Sequence, residues 1–400
     1  MTADYEVVVV GGGVAGASAA ALLANSGRKV ALVDQRRPQA IEPEAPLAPR
    51  VVAISPGARE VLDAAGAWQR MPARRLGPYD RMQVSSGSGE ITFKASEHGL
   101  EYLGWIVEIP LMQAALWQAL EENDTNPVAL LAPASVTGFV MRDRHARIEL
   151  DDGRIVRAGL LVASDGARSR LRHLAGMETD SWHYNQRALV THVKTERPNP
   201  GIAWQRFTEH GPLALLPLPG GRSSVVWSQP SRRVVQQQRL GDDEFLTAIN
   251  ASQNGPFGQI LEATQRFSFP LIRHQSRLMT RDRLVLLGDA ARNIHPLAGQ
   301  GLNLGLMDAA ALAQVLDECK DDNGLQPALA RYQRWRQGAG ASITDGVHII
   351  NELTAPSAGR ALAGLGFSLA ARMWPVRQLF VEQACAIDRD CPKIARRAGQ

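Results

Sequence analysis

Hydrophobic residues in the first 34 positions form a short run, a longer Ala- and Leu-rich run and a second short run, separated by glycines. The β-branched run Glu6 to Val10 stops at three consecutive glycines. The run Val14 to Asn25 ends just before Gly27, and glycine is a common helix C-terminal residue. Lys29 to Asp34 forms the second short run. The pattern predicts a strand, a helix and a second strand, which is the βαβ opening of a parallel sheet.

The pattern changes between about residues 185 and 275, where short apolar runs are divided by Pro and Gly. Examples are Ala188 to Val193, Leu213 to Leu218 and Ser223 to Ser228, which predict an antiparallel sheet in a second lobe. Leu284 to Leu287 then predicts another buried parallel strand, and Leu302 to Cys319 predicts the helix after it. The first lobe is therefore expected to be discontinuous in sequence.

We predict a mixed α/β fold with a Rossmann-like dinucleotide-binding domain, an antiparallel-sheet domain and a helical C-terminal tail. The dinucleotide-binding domain would comprise residues 1–75, 105–180 and 276–355. The substrate domain would comprise residues 76–104 and 181–275, and the tail residues 356–400. Four prolines between residues 35 and 49 predict a surface loop there.

Composition narrows the functional classes. The 400 residues carry a net charge of +4 and lack an arginine-rich stripe with interleaved aromatics, so no nucleic-acid site is expected. Three sparse cysteines predict a reducing compartment. The acidic N-terminus does not resemble a signal peptide, and no apolar stretch is long enough to span a membrane. A cytoplasmic location is expected.

The tail has a charge pattern of its own. Residues 356–400 contain seven bases and three acids, alternating with Leu, Phe, Met and Trp side chains. A basic amphipathic segment can bind the anionic inner face of the cytoplasmic membrane. The alternative is an ordinary helix that packs against the first lobe.

The first candidate site is the glycine loop of the βαβ unit. Gly11, Gly13 and Gly16 form GxGxxG, in which the first glycine permits a tight turn, the second lets a pyrophosphate approach and the third permits close packing of helix and strand. The N–H groups at the helix start favour an anion. Asp34 ends the second strand, where a carboxylate can accept hydrogen bonds from a ribose. The loop predicts a nucleotide site, with a ligand-free turn as the alternative.

Two later strands are also followed by candidate sites. Asp165-Gly166 ends the run Leu161 to Ala163 and precedes an arginine-rich segment, which is either a phosphate site or a solvated helix face. Asp289 follows the strand Leu284 to Leu287 at a carboxyl end, where open α/β sheets bind ligands. A carboxylate there can hold the hydroxyls of a polyol chain.

The segment after Asp289 is the strongest signal. Gly299 and Gly301 let the loop lie flat against a planar ring, and the helix beginning near Leu302 directs its N–H groups at that loop. Gln300 and Asn303 are predicted to hydrogen-bond this ring rather than to cap the helix. His295, next to Pro296, either tunes the ring or substrate or anchors the loop.

Together these motifs resemble those of the class A flavin monooxygenases, which have the p-hydroxybenzoate hydroxylase fold. Within that class, GDAARNIHPLAGQGLNLGLMDAAAL at 288–312 resembles the ubiquinone-biosynthesis hydroxylases. RVVAISPGA at 50–58, LGWIVEIPLMQAALW at 103–117 and GPLALLPLPGGRSSVVWS at 211–228 resemble them too. The chain departs from the family at Ser164, Ile109 and Arg292, where Ala, Asn and His are more usual.

The resemblance implies one tightly bound FAD, reduced by transient NADPH or NADH. The implied FAD-binding residues are Gly11, Gly13, Val14, Ala15, Gly16, Asp34, Arg50, Asp165, Asp289, Gly299, Gln300, Gly301, Leu302 and Asn303. His295 and Pro296 would lie nearest the reacting part of the flavin. No metal site is expected.

The resemblance also implies the reaction. O2 adds at flavin C4a as a hydroperoxide, and its distal oxygen passes to the ring of a lipophilic aromatic, a polyprenyl-phenol or quinol of ubiquinone biosynthesis. Candidate pocket residues in the second lobe are Phe207, Leu215, Pro217 and Trp227, with a core role as the alternative for each. No catalytic base is evident. Other quinone-biosynthesis proteins are candidate partners.

Three other functions are weighed against this one. The first is an FAD-dependent hydroxylase of a small soluble phenol. The second is a flavin halogenase, whose WxWxIP signature is nearly met at residues 105–110 but has Val107 in place of the second Trp. The third is a non-catalytic flavoprotein that serves as the scaffold of a quinone-synthesis complex, against which the intact third motif argues.

Overall fold

The computed structural model describes residues 3–42, 44–86, 89–293, 300–319, 322–354 and 391–396, with side chains except at residue 300 and from 340 to 354. In chain order the strands are β1 Tyr5–Val10, β2 Val30–Val33, β3 Val51–Ile54, β4 Gly77–Tyr79, β5 Arg81–Ser86, β6 Gly89–Lys94, β7 Gly104–Glu108, β8 Ala129–Leu131, β9 Val136–Met141, β10 Ala146–Leu150, β11 Ile155–Ala163, β12 Thr179–Thr195, β13 Ile202–Thr208, β14 Gly211–Pro217, β15 Ser223–Pro230, β16 Ile260–Ala263, β17 Phe267–Ser276, β18 Thr280–Arg281, β19 Leu284–Leu286 and β20 Arg292–Asn293. The helices are α1 Val14–Asn25, α2 Pro56–Ala64, α3 Ile109–Glu121, α4 Arg170–Leu174, α5 Ser231–Arg239, α6 Asp242–Gln253, α7 Gln300–Asp317 and α8 Asp322–Thr354.

The first sheet has the order β18-β19-β11-β1-β2-β8, with β10 and β9 added beside β11. Strands β19, β11, β1, β2 and β8 run parallel to one another. The paired residues at the centre of this sheet, in β1, β2, β19 and the second half of β11, are buried and are Val, Leu or Ala, because α1, α3 and α7 contribute to the same core. The predicted βαβ opening is confirmed, and α1 has the predicted bounds.

The second sheet has the order β20-β17-β12-β15-β14-β13-β5-β6. Neighbouring strands are antiparallel except β13 and β5, which are parallel. One face of this sheet packs against α5 and α6 through a separate apolar cluster. The other face meets a cluster that includes residues of the small sheet β3-β7-β4.

The mixed α/β fold is therefore confirmed. Strands of the second sheet come from residues 81–94 and from 179–276, so the chain leaves the first sheet and returns to it. This membership supports the predicted domain boundaries, which remain a prediction. Strand β20 was not predicted, and it carries the segment after Asp289 to the edge of the second sheet beside β17.

Among the described helices, none has the length and apolar character needed to cross a membrane. Most of the predicted tail, namely residues 356–390 and 397–400, lies outside the described residues. Residues 391–396 belong to the first lobe, because Cys391 and Ala395 are buried in its core and the Lys393 N–H donates to Gln314 Oε1 at 2.9 Å.

Candidate active site

The three motifs lie together because they follow the carboxyl ends of adjacent parallel strands. Val10 pairs with Ala163, Ala163 pairs with Leu286, and Val10 also pairs with Val33. The chain continues from these four ends into the glycine loop, the Asp-Gly turn, the Gly-Asp turn and Asp34. Ligands of open α/β sheets bind outside such an edge, where the strand order reverses.

The glycine loop is built as the sequence predicted. Gly11 has a φ of +103°, and a Cβ added to it would lie 2.3 Å from the Ser164 carbonyl oxygen. A Cβ on Gly16 would lie 2.0 Å from the Gly11 carbonyl oxygen and 2.2 Å from Ser164 Oγ. A Cβ on Gly13, by contrast, would meet nothing within 4 Å. Two glycines thus bring α1 against the sheet, and the third borders open space.

Helix α1 begins at this open space. Gly13 is its N-cap, no side chain caps it, and its first turn has no acid. The N–H groups of Val14, Ala15 and Gly16 precede the first intrahelical donor, Ala17, which bonds to the Gly13 carbonyl at 2.8 Å. An uncapped N-terminus with its positive dipole end is a suitable site for a pyrophosphate.

The first and third motifs are in contact through Ala15. A Cβ built on Gly288 or on Gly305 would lie 3.2 Å from the Ala15 Cβ. Small residues at these positions therefore let α1, α7 and the Gly-Asp turn approach one another. The arrangement places the start of α1 and the turn before Asp289 along one wall.

Asp34 binds backbone N–H groups. One carboxylate oxygen accepts from Gly12 N at 2.6 Å, and the other accepts from Arg36 N at 2.9 Å. The side chain thereby fixes the glycine loop relative to the end of β2. Its contact with a ribose remains a prediction.

Asp165 has one occupied oxygen and one that lacks a partner. Oδ2 accepts from the N–H groups of Arg170 and Leu171 at 2.8 and 3.2 Å, at the start of α4. Oδ1 is buried and has no hydrogen-bond partner within the described part of the chain. The Asp165 N–H would be 2.8 Å from a Cβ on Gly11, so this residue adjoins the glycine loop. An orphaned buried acceptor beside that loop fits a ligand that donates, such as a ribose hydroxyl.

Asp289 projects into a cleft. Its side chain is accessible to water, yet the protein around it raises the pKa of its carboxyl, an effect that the Arg50 guanidinium opposes. His274 Nε2 lies 2.8 Å from the Asp289 carbonyl oxygen and ties this turn to β17 of the second sheet. Burial lowers the pKa of His274. A carboxylate that is accessible to water at the carboxyl end of a parallel strand can accept hydrogen bonds from a polyol chain.

Arg50 faces the same cleft from the other side. Its guanidinium carbon lies 5.1 Å from the centroid of the Phe269 ring, a cation–π contact with the second sheet. Its carbonyl oxygen accepts from Ile109 N at 3.1 Å. Arg50 therefore brings a positive charge to the boundary between the two sheets, next to Asp289.

A buried clamp holds the loop that leads to Arg50. Glu108 accepts two hydrogen bonds from Arg75, at 2.9 and 2.8 Å, and both side chains are at most 4% exposed. Glu108 Oε1 also accepts from Ala48 N at 2.6 Å, and His192 Nε2 of the second sheet lies 3.1 Å from the Ala48 carbonyl oxygen. Arg75 further donates to the Ala45 carbonyl at 2.8 Å. Sequence reasoning missed this clamp, because only the spacing of two common charged residues could have indicated it.

The third motif has an internal support. Asp308 of α7 is fully buried and accepts from Arg292 at 2.6 Å and from Arg336 at 2.7 Å through one oxygen. Its other oxygen accepts from Gly288 N at 3.3 Å. Arg292, which stands where the resembled family usually has His, is thus part of a buried ion network behind the Gly-Asp turn.

The start of α7 gives the Asn303 side chain a structural contact. The Asn303 side chain is buried and bridges the main chain of the small sheet, because its Oδ1 accepts from Ser55 N at 3.1 Å and its Nδ2 donates to the Ala53 carbonyl at 2.9 Å. Its amide is therefore committed to the scaffold. Helix α7 starts at Gln300, ahead of Gly301 and Leu302, so their N–H groups belong to its first turn. His295, Pro296 and Gly299 lie outside the described residues, as does the side chain of Gln300.

The predicted pocket residues separate onto two faces of the second sheet. Leu215 and Trp227 are fully buried in the cluster beneath α5 and α6, so the pocket prediction is wrong for both. Pro217 is buried and alternates onto the same face as Leu215. Phe207 is half-buried and lies on the opposite face, which is the face that Arg50 touches through Phe269.

The residues that sequence reasoning missed lie on that opposite face. Half-buried Phe267, Phe269, Val226, Ala214 and Gln205 occupy it by strand alternation and pairing. No local signal could have separated them from Leu215 and Trp227, because both faces of these strands are apolar. The edge of the parallel sheet that carries the predicted nucleotide site therefore lies on one side of Arg50, and an apolar sheet face lies on the other.

Comparisons with known proteins agree with this geometry. A family model described as an FAD binding domain matches residues 4–347. The 3-demethoxyubiquinol 3-hydroxylase of Escherichia coli K12 is 33% identical over 348 residues, covering 86% of this chain and 88% of that protein. The ubiquinone hydroxylase UbiL of Rhodospirillum rubrum is 33% identical over 386 residues, covering 95% of this chain and 89% of that protein.

Solved structures share the fold. The p-nitrophenol 4-monooxygenase PnpA of Pseudomonas putida superposes with a TM-score of 0.73 at 20% identity, covering 96% of this chain and 99% of that one. The Pseudomonas aeruginosa protein PqsL, a probable FAD-dependent monooxygenase, gives 0.73 at 22% identity, covering 91% and 99%.

Proposed function

The chain belongs to the FAD-binding family of monooxygenases that includes the ubiquinone-biosynthesis hydroxylases, and from this premise we propose that it hydroxylates the ring of a polyprenyl-phenol or quinol intermediate of ubiquinone biosynthesis. It is an FAD-dependent aromatic hydroxylase that uses NAD(P)H and O2. The choice between NADPH and NADH, and the ring carbon that receives the oxygen, are not part of the proposal.

One observation carries the proposal. The carboxyl edge of the parallel sheet, with its uncapped α1, unpartnered Asp165 Oδ1 and accessible Asp289, faces an apolar sheet across a cleft that Arg50 bridges. The first side suits the phosphates and hydroxyls of FAD, and the second suits a lipophilic ring. The residues present therefore fit both the cofactor and the substrate class.

Each wall of the cleft has a separate role. The N–H groups at the start of α1 would bind the pyrophosphate. Asp165 Oδ1 would accept a hydrogen bond from a hydroxyl or N–H group of the cofactor, and Asp289 would accept hydrogen bonds from the ribityl hydroxyls. The bound flavin supplies the redox chemistry, which is acceptance of reducing equivalents from NAD(P)H and activation of O2. The protein supplies position, exclusion of water and placement of charge.

Arg50 is the charged group at the boundary. A guanidinium stacked on Phe269 stabilises negative charge that develops beside it, whether on the cofactor or on a phenolic oxygen of the substrate. The Glu108–Arg75 clamp holds the loop before Arg50 from one lobe, and His192 holds it from the other. Arg50 is thus presented on a backbone that both lobes restrain.

The experiment compares two substrate classes. Purified FAD-loaded protein is incubated with NADPH or NADH and with either a polyprenyl-phenol or a water-soluble phenol, while NAD(P)H oxidation and hydroxylated product are both measured. Coupled turnover is expected with the polyprenyl-phenol. Efficient turnover of the soluble phenol alone would support the small-phenol hydroxylase instead. NAD(P)H oxidation without any product would contradict the proposal.

A peripheral association with the inner face of the cytoplasmic membrane accompanies the proposal, since the substrate must be taken from lipid. The basic, apolar segment of residues 356–400 supports it by composition alone. Association with other quinone-biosynthesis proteins remains a prediction as well. Co-sedimentation with anionic but not with neutral vesicles, lost when Arg372 and Arg377 are replaced by glutamate, is expected. Equal binding to both vesicle types would contradict the electrostatic part.

A further inference from the structure

A continuous row of side chains crosses the cleft face of the second sheet. Residue pairing joins its members from strand to strand: Phe267 with Val190, Val190 with Val226, Val226 with Ala214, Ala214 with Gln205, Gln205 with Val84 and Val84 with Ile91. We call these seven residues the central row. Directly paired residues point to the same face, so the row forms one strip.

The central row lies on the face that is turned away from α5 and α6. The neighbours of its members along each strand, such as Leu189, Leu213, Leu215, Val225 and Trp227, belong to the cluster that packs against those helices. Alternation therefore turns the row toward the cleft. All members except Val190 are half-buried, so the row borders accessible space.

A parallel row beside it is covered. Leu216, Ala203 and Met82 belong to the cluster that contains Leu47 and Val51 of the first lobe, and Ile91 at the far end of the central row packs against the same cluster. In the same row, His192 contacts the Ala48 carbonyl. The central row is therefore the floor of a trough whose one wall is the loop before β3.

The two ends of the trough differ chemically. At the β17 end, Arg50 stacks on Phe269 and His274 contacts the Asp289 main chain, so this end adjoins the cofactor side of the cleft. At the other end, β6 is the last strand of the sheet in the part of the chain that the structure describes. Six strand spacings separate Phe267 from Ile91, which gives about 29 Å at about 4.8 Å each.

This length exceeds what one aromatic ring requires. Six of the seven members are apolar, and the seventh, Gln205, carries an uncharged amide. A flat apolar strip with one polar end fits a substrate that has an oxygenated ring at one end and a long hydrocarbon chain at the other.

We propose that the central row is the track for the polyprenyl chain, with the ring at the β17 end and the chain leaving over β5 and β6. The proposal rests on the proposed function. It adds the direction in which the bound polyprenyl chain runs and the length of chain that contacts the protein. Gly13, Asp165 and Asp289 have no part in it, so its test is separable from tests of cofactor binding.

The test uses FAD-loaded enzyme and a series of polyprenyl-phenols with increasing numbers of isoprene units. KM of the unmodified protein is expected to fall with each unit until the chain reaches about 29 Å, and then to stay constant. Val226→Asp places a carboxylate about 10 Å along the row, and Val84→Asp places one about 24 Å along it. A charge buried beneath hydrocarbon is unfavourable, so each variant should raise KM at least tenfold only for chains that reach it.

Gln83→Asp is the matched control, because Gln83 lies next to Val84 on the other face of β5 and pairs with Trp204. It should leave the KM series unchanged within twofold. The short-chain phenol should keep its kcat and KM in Val84→Asp, which also shows that this variant is folded.

Three outcomes would overturn the track. In the unmodified protein, KM could stop falling after the first isoprene unit, an outcome that tests the track without any variant. Val84→Asp could raise KM equally for short and long chains, or it could leave the long-chain KM unaltered. If the unmodified protein hydroxylates none of the series, the proposed function itself fails, and that result is distinct from these three.

Discussion

Glu108→Gln removes the counter-charge of a guanidinium that lies buried where the small sheet meets the loop before Arg50. The variant keeps the side-chain volume and one acceptor for Ala48 N, but Arg75, whose side chain is 4% exposed, loses its carboxylate. Breaking a buried ion pair from one side costs about 3–5 kcal/mol, because the remaining charge stays desolvated. That is a large part of the roughly 5–15 kcal/mol by which a typical domain is stable.

Urea unfolding of the FAD-loaded protein measures this loss. With an m-value of about 4 kcal/mol per M for a chain of this size, a loss of about 4 kcal/mol lowers the midpoint by ~1 M. The double variant Arg75→Met with Glu108→Leu removes both charges and should recover most of the midpoint. Glu121→Gln, which breaks the exposed pair with Arg37, serves as the control and should change stability by about 0–1 kcal/mol.

Activity distinguishes the clamp from a merely stabilising pair. The double variant lacks the bonds from Arg75 to the Ala45 carbonyl and from Glu108 to Ala48 N, so the loop that presents Arg50 is released. It should therefore be stable and yet show a kcat/KM at least tenfold lower, a loss of ~1.4 kcal/mol in transition-state stabilisation. A double variant with normal activity, or a Glu108→Gln variant as stable as the unmodified protein, would refute the reasoning.

Further predictions concern the cofactor side of the cleft and pH. Gly16→Ala puts a Cβ 2.0 Å from a backbone carbonyl oxygen and should destabilise the FAD-free protein. The Cβ of Gly13→Ala meets nothing within 4 Å, so this variant should be as stable as the unmodified protein without FAD. It should nevertheless bind FAD at least tenfold more weakly, as measured by flavin absorbance titration. Equal FAD affinity in Gly13→Ala and unmodified protein would argue against a pyrophosphate there. The raised pKa of Asp289 means that folding disfavours its ionised form. Asp289→Asn should therefore stabilise the FAD-free protein at pH 7, and the gain in stability should vanish as pH falls to about 4, where the carboxyl of the unmodified protein becomes protonated. A gain that persists at pH 3 would contradict this. Burial lowers the pKa of His192 and His274, so the protein should lose stability as pH falls below about 6.5. Replacing both histidines with glutamine should reduce the change in the urea midpoint between pH 7.5 and 5.5. If the midpoint of this variant changes with pH as much as that of the unmodified protein, other groups are responsible for the loss.

Local signals sufficed for the parts of the site that are made within one segment. The GxGxxG turn, the bounds of α1 and the return to a parallel strand at Leu284 were all predicted correctly, because each depends on backbone freedom at glycine or on a short apolar run. The family resemblance supplied the cofactor and the reaction class. The burial of Asp165 Oδ1 beside the glycine loop and the clamp around Ala48 could not be predicted, since both depend on segments that lie far apart in sequence.

Strand β14 shows why the pocket could not be predicted. Its sequence, Gly-Pro-Leu-Ala-Leu-Leu-Pro, has no alternation of polar and apolar residues, because helices cover one face and the first lobe faces the other. Period-2 reasoning therefore could not tell Leu215 in the core from Ala214 on the cleft face. The scaffold contacts of the Asn303 amide could not be predicted for a related reason, because the amide bonds backbone groups about 250 residues away.

The sequence by itself determined the cofactor-binding elements, since glycine conformations, strand ends and helix starts are local properties of the chain. Only the tertiary structure decided which sheet face meets the cofactor side and which buried charges hold the loop of Arg50. Those features depend on which segments pack together, and packing joins residues that no short window of the chain contains.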